Sequence, residues 1–140
     1  MNTSRGWEIF PRIIYDMAMR IKNDYRNIDW FVAESGMGVE NEAQYRNRDG
    51  VIDDTYRIAF ISEHLYYTLL AREAGANCHG YMLWAFTDNV SPMNAFKNRY
   101  GLIEIDLENQ RARRAKKSAS WFRQLRDERV LTLRVDDEWK

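Results

Sequence analysis

Two short apolar runs constrain the fold of this chain more than any other feature. Residues 28–33 carry Trp30, Phe31 and Val32 and are interrupted only by Asp29; residues 78–86 carry Tyr81, Met82, Leu83 and Trp84 with hardly a break. Runs this short and this continuous read as strands covered on both faces, the pattern of parallel sheets. Parallel neighbours need a long crossover, and a helical pattern lies between the two runs.

That pattern has recognisable ends. Asp53 and Asp54 are placed as N-caps, Ile58, Ile61, Leu65 and Leu69 mark the expected inner stripe, and Gly75 is placed to stop the helix. Upstream, Pro11 suits a first helical turn, and Ile14, Met17, Ala18, Ile21 and Tyr25 recur at helical spacing, which predicts a helix over 11–25. Met17 and Met19 are read as ordinary residues of that helix. Residues 39–50 are polar, with Asn47-Arg48-Asp49-Gly50 as a turn signal. Residues 87–99 read as irregular and 102–106 as a half-exposed strand, followed by a turn at Asn109. Arg111, Arg113 and Arg114 are expected on a solvated turn, and Trp121, Phe122 and Leu125 on a last helix over 116–128, buried against the sheet. Residues 129–140 read as an extension or tail. Helix, strand, helix, strand, helix is the order of consecutive βα units, so the expected class is α/β with a right-handed crossover.

Composition narrows the function. Lys plus Arg and Asp plus Glu each number 21, so no net field draws in nucleic acid or an anionic membrane surface. The longest uncharged run, residues 74–87, falls well short of the roughly 18 apolar residues of a membrane span, and the N-terminus has no signal-peptide pattern. The lone Cys78 reads as a buried free thiol, and with His79 it has no partner pair at zinc spacing, so no metal is expected. A reducing, cytoplasmic setting follows. Aromatics reach 14%, with five Trp, a surplus that suits stacking on flat ligands.

In parallel α/β architectures, chemistry gathers at the carboxyl ends of the strands. Glu34 ends the first run and is followed by the small residues Ser35-Gly36, which allow close approach to its carboxylate. The second run opens onto residues 84–100, with an indole, an Asp, an Asn, a Ser and cations. A carboxylate facing an aromatic floor and a hydroxyl-rich rim suits a sugar, whose ring has an apolar face and a polar edge. The plain alternative is that Glu34 is a surface residue past a strand. Asp88 and Asn89 either orient the loop or touch a ligand, and His64 reads as a hydrogen-bonded packing residue.

Read together, the motifs Gly6-Trp7-Glu8-Ile9-Phe10-Pro11, Phe31-Val32-Ala33-Glu34-Ser35-Gly36, Asp53-Asp54-Thr55-Tyr56-Arg57, Gly80-Tyr81-Met82-Leu83-Trp84-Ala85-Phe86 and Arg99-Tyr100-Gly101-Leu102 fall in a recognisable order. The chain resembles glycoside hydrolase family 1, the retaining β-glycosidases, and within it the 6-phospho-β-glucosidase branch. The resemblance implies the C-terminal portion of a (β/α)8 TIM barrel, about strands 7 and 8 with their helices, over residues 1–128. It places Glu34 as the nucleophile, with Ser35 where the family has Asn, and Trp84 at the sugar subsite. Members acting on unphosphorylated sugars carry Glu where this chain has Ser91. The phospho-specific branch has Ser there, because a carboxylate would repel a phosphate dianion while a hydroxyl donates to it. Tyr100 falls on the branch's phosphate-clamp Tyr. The clamp's Lys position is Asn98, with Lys97 one residue earlier: either Lys97 reaches over on its flexible stem or Asn98 donates a neutral hydrogen bond. The resemblance implies no cofactor.

A retaining glycosidase needs two carboxylates about 5 Å apart, and the family's acid/base Glu sits in an Asn-Glu-Pro motif that these 140 residues lack. The first six strands of a barrel of about 250 residues are lacking too. The expectations are therefore a fragment inactive by itself, a phosphorylated β-glycoside as the small-molecule partner, and strand edges covered by the missing barrel part or by self-association. The alternatives are a fragment of a β-glucosidase for unphosphorylated sugars, or a non-enzymatic truncated product that self-associates.

Overall fold

The structure is a computed structural model and describes residues 6–133. Helix α1, Ile13–Asp24, begins just after Pro11, whose carbonyl accepts from Ile14 N at 3.2 Å. It packs Ala18 against Ala71 and Ala76, small residues that let two helices approach closely. Helix α2, Thr55–Glu73, ends at Gly75, which takes φ +87°, and Lys22 of α1 donates to the terminal carbonyl of Ala74 at 2.6 Å.

Strands β1, Trp30–Ser35, and β3, Cys78–Leu83, pair in parallel as expected, with Trp30 opposite Cys78, Val32 opposite Tyr81 and Ser35 opposite Leu83. Two short antiparallel pairs complete the framework. Strand β2, Val39–Glu40, lies against β4, Asn98–Arg99; β5, Ile103–Asp106, forms a hairpin with β6, Ala112–Ala115. Helix α3, Lys117–Glu128, closes the order. The core gathers Met37, Val39, Phe60, Ile61 and Leu102, with Trp121 and Phe122 of α3 packed on it; α3 lies against α2 and β6 rather than on the parallel sheet as expected. Cys78 is buried and free.

Several expectations are corrected. β1 begins two residues later than the apolar run and includes Glu34, so that carboxylate belongs to the strand itself. Neither strand is covered on both faces: Phe31 of β1 is 56% and Met82 of β3 52% exposed, because only two parallel strands share the face among the described residues. Asp54 occupies the N-cap position of α2 but makes no side-chain cap; its carboxylate accepts instead from Ser118 N, Ser118 Oγ and Arg57 Nε. Asp53 spends its carboxylate on Thr55 and Lys117. The buried stripe of α2 runs through Arg57, Phe60, Ile61, His64, Thr68 and Ala71, while Leu69 is 49% exposed. Polar residues can line that stripe because His64 and Thr68 bond carbonyls one turn back, Phe60 O at 2.7 Å and His64 O at 2.8 Å.

The polar segment 39–50 is also more than a loop, since it holds β2 and a 3-10 helix, Glu42–Tyr45. Arg113 and Arg114, expected on a turn, lie in β6 opposite Ile105 and Glu104, while Arg111 sits at the hairpin turn with φ 58°. All three are exposed. The predicted tail begins where α3 ends, and its residues 134–140 lie outside the described residues. Among the described residues, no helix is long and apolar enough to cross a membrane.

Candidate active site

Beyond Glu34 the chain must pass close under the second strand, and glycine makes this possible. A Cβ on Gly36 would fall 1.6 Å from the carbonyl oxygen of Trp84, and one on Gly38 would fall 2.4 Å from the Tyr100 ring. Ser35 O accepts from Trp84 N at 2.9 Å, and the Tyr81 hydroxyl donates to Ser35 Oγ at 2.8 Å. Burial raises the Tyr81 pKa to about 12, although the Ser35 contact pulls it the other way. The ends of β1 and β3 are thus locked together where they open onto the surface.

A cavity of about 370 Å³ opens there. Glu34, Trp84, Asn89, Ser91 and Tyr100 line it with Trp7. Glu34 is the only carboxylate among its described lining residues. Ser91 stands in a tight turn, its N and O both paired with Ala95, at 2.9 and 2.8 Å. The structure therefore brings four of the six predicted site residues into one cavity. Lys97 and Asn98 do not line it. The Lys97 side chain is 66% exposed with Nζ 3.2 Å from Glu40, and Asn98 is buried in β4 with its Oδ1 unpartnered.

The open question between Asp88 and Asn89 divides cleanly. Asp88 is buried and holds the loop, accepting from Gly101 N at 2.9 Å and Lys116 Nζ at 2.8 Å. Asn89 lines the cavity, with a buried Oδ1 that has no protein partner. His64 is a packing residue: its ring stacks on Phe60 at 3.9 Å, and burial lowers its pKa against the opposing pull of Phe60 O.

Sequence reasoning missed the groups behind the cavity wall. Arg57 and Lys116 are fully buried, and both pair with the buried Glu42. Arg57 also donates to Asp54 at 3.0 Å and to the carbonyls of Met37, Arg99 and Tyr100, the last two at 3.1 Å. Burial disfavours the Arg57 charge, but Glu42, Tyr56 and Asp54 outweigh it and the net pKa shift is upward. The only sequence signal was position: Arg57 lies on the helical face of Phe60, Ile61 and His64.

The cavity can seat a ring on the indole, present a carboxylate to one of its carbons and offer hydroxyls to its edge. Comparison with known proteins accords with this chemistry. Residues 1–130 match Glycosyl hydrolase family 1. A 6-phospho-beta-glucosidase of Bacillus subtilis strain 168 is 47% identical over 125 residues, 89% of this chain and 27% of that protein. A 6-phospho-beta-galactosidase of Clostridium acetobutylicum is 41% identical over 130 residues, 92% of this chain and 26% of that protein. Among solved structures, a beta-glucosidase from Thermotoga maritima in complex with methyl acetic acid-substituted glucoimidazole superposes with TM-score 0.85 at 25% identity, covering 94% of this chain and 29% of that one. The chain spans about a quarter of the length of these relatives, and its βα units form part of a (β/α)8 barrel. The family match runs through every helix and strand described above, and the chain belongs to glycosyl hydrolase family 1.

Proposed function

We propose that this chain is the nucleophile-bearing last quarter of a retaining 6-phospho-β-glycosidase. The observation that carries the reading is the convergence of Glu34, Trp84, Ser91 and Tyr100 on one cavity at the carboxyl ends of two parallel strands. The indole of Trp84 supports the apolar face of the sugar. The Glu34 carboxylate attacks the anomeric carbon, forming a glycosyl ester as the bond to the leaving oxygen breaks. That oxygen takes its proton from the acid/base Glu of the missing barrel part. Water, giving its proton to the same Glu, then attacks the anomeric carbon, and the bond from that carbon to the Glu34 oxygen breaks to free the carboxylate.

Ser91 and Tyr100 supply hydroxyls to the 6-phosphate. Lys97 supplies charge by rotating away from Glu40, and Asn98 backs the segment from β4. The 47% identical relative carries the name of a phosphoglucosidase, which supports the phosphorylated substrate over the free one. Asn98 at the clamp's Lys position is the observation that favours the second reading, a β-glucosidase for unphosphorylated sugars. With one carboxylate in the cavity, the isolated chain hydrolyses at background and associates through its open sheet face, with the rest of a barrel or with itself. The buried thiol of Cys78 suits a cytoplasmic enzyme.

The test is turnover of a chromogenic 6-phospho-β-glucoside. The 140-residue chain should be inactive, and its assembly with a barrel part carrying the first six strands should be active and silenced by Glu34→Gln. Turnover by the chain alone that Glu34→Gln abolishes would overturn the predicted inactivity. In the assembly, Ser91→Glu should move preference toward the unphosphorylated glucoside; an unchanged preference removes Ser91 from the phosphate site.

A further inference from the structure

We infer that Arg57 is a positioning residue that sets the phosphate edge of the cavity against the Glu34 loop, an inference that rests on the functional reading above. Arg57 does not line the cavity; it stands behind two of its walls. One wall is the segment after Glu34, whose Met37 carbonyl accepts from Nη1. The other carries Tyr100, whose own carbonyl accepts from the same Nη1, with Arg99 O accepting from Nη2. Glu42 takes a bond from Nη2 and Asp54 takes the one from Nε. These bonds account for all five N–H donors of a guanidinium, so the group is saturated and its plane is fixed.

The two walls also meet directly, because the Tyr100 ring lies where a Cβ of Gly38 would be. The spacing that Arg57 imposes on the backbone is therefore the spacing of the Tyr100 phenol. Lys116 completes the frame, pairing with Glu42 on one side and with Asp88 on the other, and Asp88 accepts from the amide of Gly101, next to Tyr100. No lysine could replace Arg57, since three donors radiating from one nitrogen cannot span carbonyls on both walls.

Arg57→Lys keeps the charge and removes the span. In the 140-residue chain, amide hydrogen exchange should accelerate at residues 36–40 and 98–102 and stay unchanged in α1 and in the β5–β6 hairpin. Acceleration throughout the chain, or none, overturns the inference. In the assembled barrel, kcat/KM for a 6-phospho-β-glucoside should fall about tenfold more than kcat/KM for the unphosphorylated glucoside, because a displaced contact group costs rate only where it is used. Equal losses for the two substrates would mark Arg57 as a packing residue and overturn the inference. Glu42→Gln, which leaves the guanidinium in place, should give the same local pattern at smaller size, and it decides the question if Arg57→Lys does not fold. Should the unsubstituted assembly show no preference for the phosphorylated sugar, the functional reading fails, while the exchange measurement still decides whether Arg57 joins the walls.

Discussion

Two regions of the molecule treat water in opposite ways. Behind the cavity, Glu42, Asp54, Arg57, Asp88 and Lys116 are sealed from solvent, and every one has partners within the chain. On the open face of β1 and β3 and just beyond, Phe31, Met82, Trp84 and Phe86 stand exposed although they are apolar. The usual assignment of charge to the surface and aromatics to the core is reversed between them. The difference separates what this quarter of a barrel completes by itself from what it leaves to other strands. Its ionic frame is self-sufficient, whereas its sheet face stands open to solvent.

The contrast can be broken most strongly at Lys116. Lys116→Met leaves the carboxylates of Glu42 and Asp88 buried without their shared cation and should cost about 3–5 kcal/mol in urea unfolding. A loss below about 1 kcal/mol would mean that water reaches the cluster. Gly36→Ala puts a methyl group against the Trp84 carbonyl and should cost about 1–3 kcal/mol, with a matching loss of any ligand binding in the cavity. Tyr81→Phe removes the bond to Ser35 and should cost about 1 kcal/mol at neutral pH.

The same residue predicts an alkaline limit. The folded chain holds the Tyr81 proton more tightly than the unfolded one, so its contribution is intact below the ordinary value near 10 and is lost as pH climbs toward about 12. Stability measured against pH, followed by tyrosinate absorbance, should show that decline, and the Tyr81→Phe variant should lack its share. The smallest effect on folding belongs to the open face. Phe31→Ser with Phe86→Ser should change unfolding by about 0.5 kcal/mol or less, yet convert an associating chain to a monomer in size-exclusion chromatography. Unchanged association would place the sticky surface elsewhere.

The sequence announced the parallel pair because continuous apolar runs have few other uses, and Glu34 was legible because it ends a strand of an α/β fold, whereas Trp84, Ser91 and Tyr100 were singled out through the family resemblance. The ionic frame was not legible. Glu42 sits in a segment that reads as polar loop, and Lys116 reads as the first residue of the last helix; only the folded chain shows that their charges face each other across the core. Hydropathy likewise put Leu69 on the inner stripe of α2 and left Thr68 off it, whereas Thr68 is buried and Leu69 exposed. The hydroxyl of Thr68 satisfies itself within the helix, which a scale of transfer energies cannot register. Lys97 and Asn98 are a further case: Lys97 is exposed just before β4, Asn98 is buried within it, and neither lines the cavity.

The frame around Arg57 also ties together distant stretches of the chain. Its bonds join residues 20, 43 and 74 positions apart, from Met37 to Arg57, Arg57 to Tyr100 and Glu42 to Lys116. Closing loops of that length costs entropy that the buried ion pairs must offset. Lys116, the last of the set to be synthesised, is the cation that both Glu42 and Asp88 await. A chain ending before Lys116, at the start of α3, would hold every bond from Arg57 to the two cavity walls, yet would leave Glu42 and Asp88 without the cation they share.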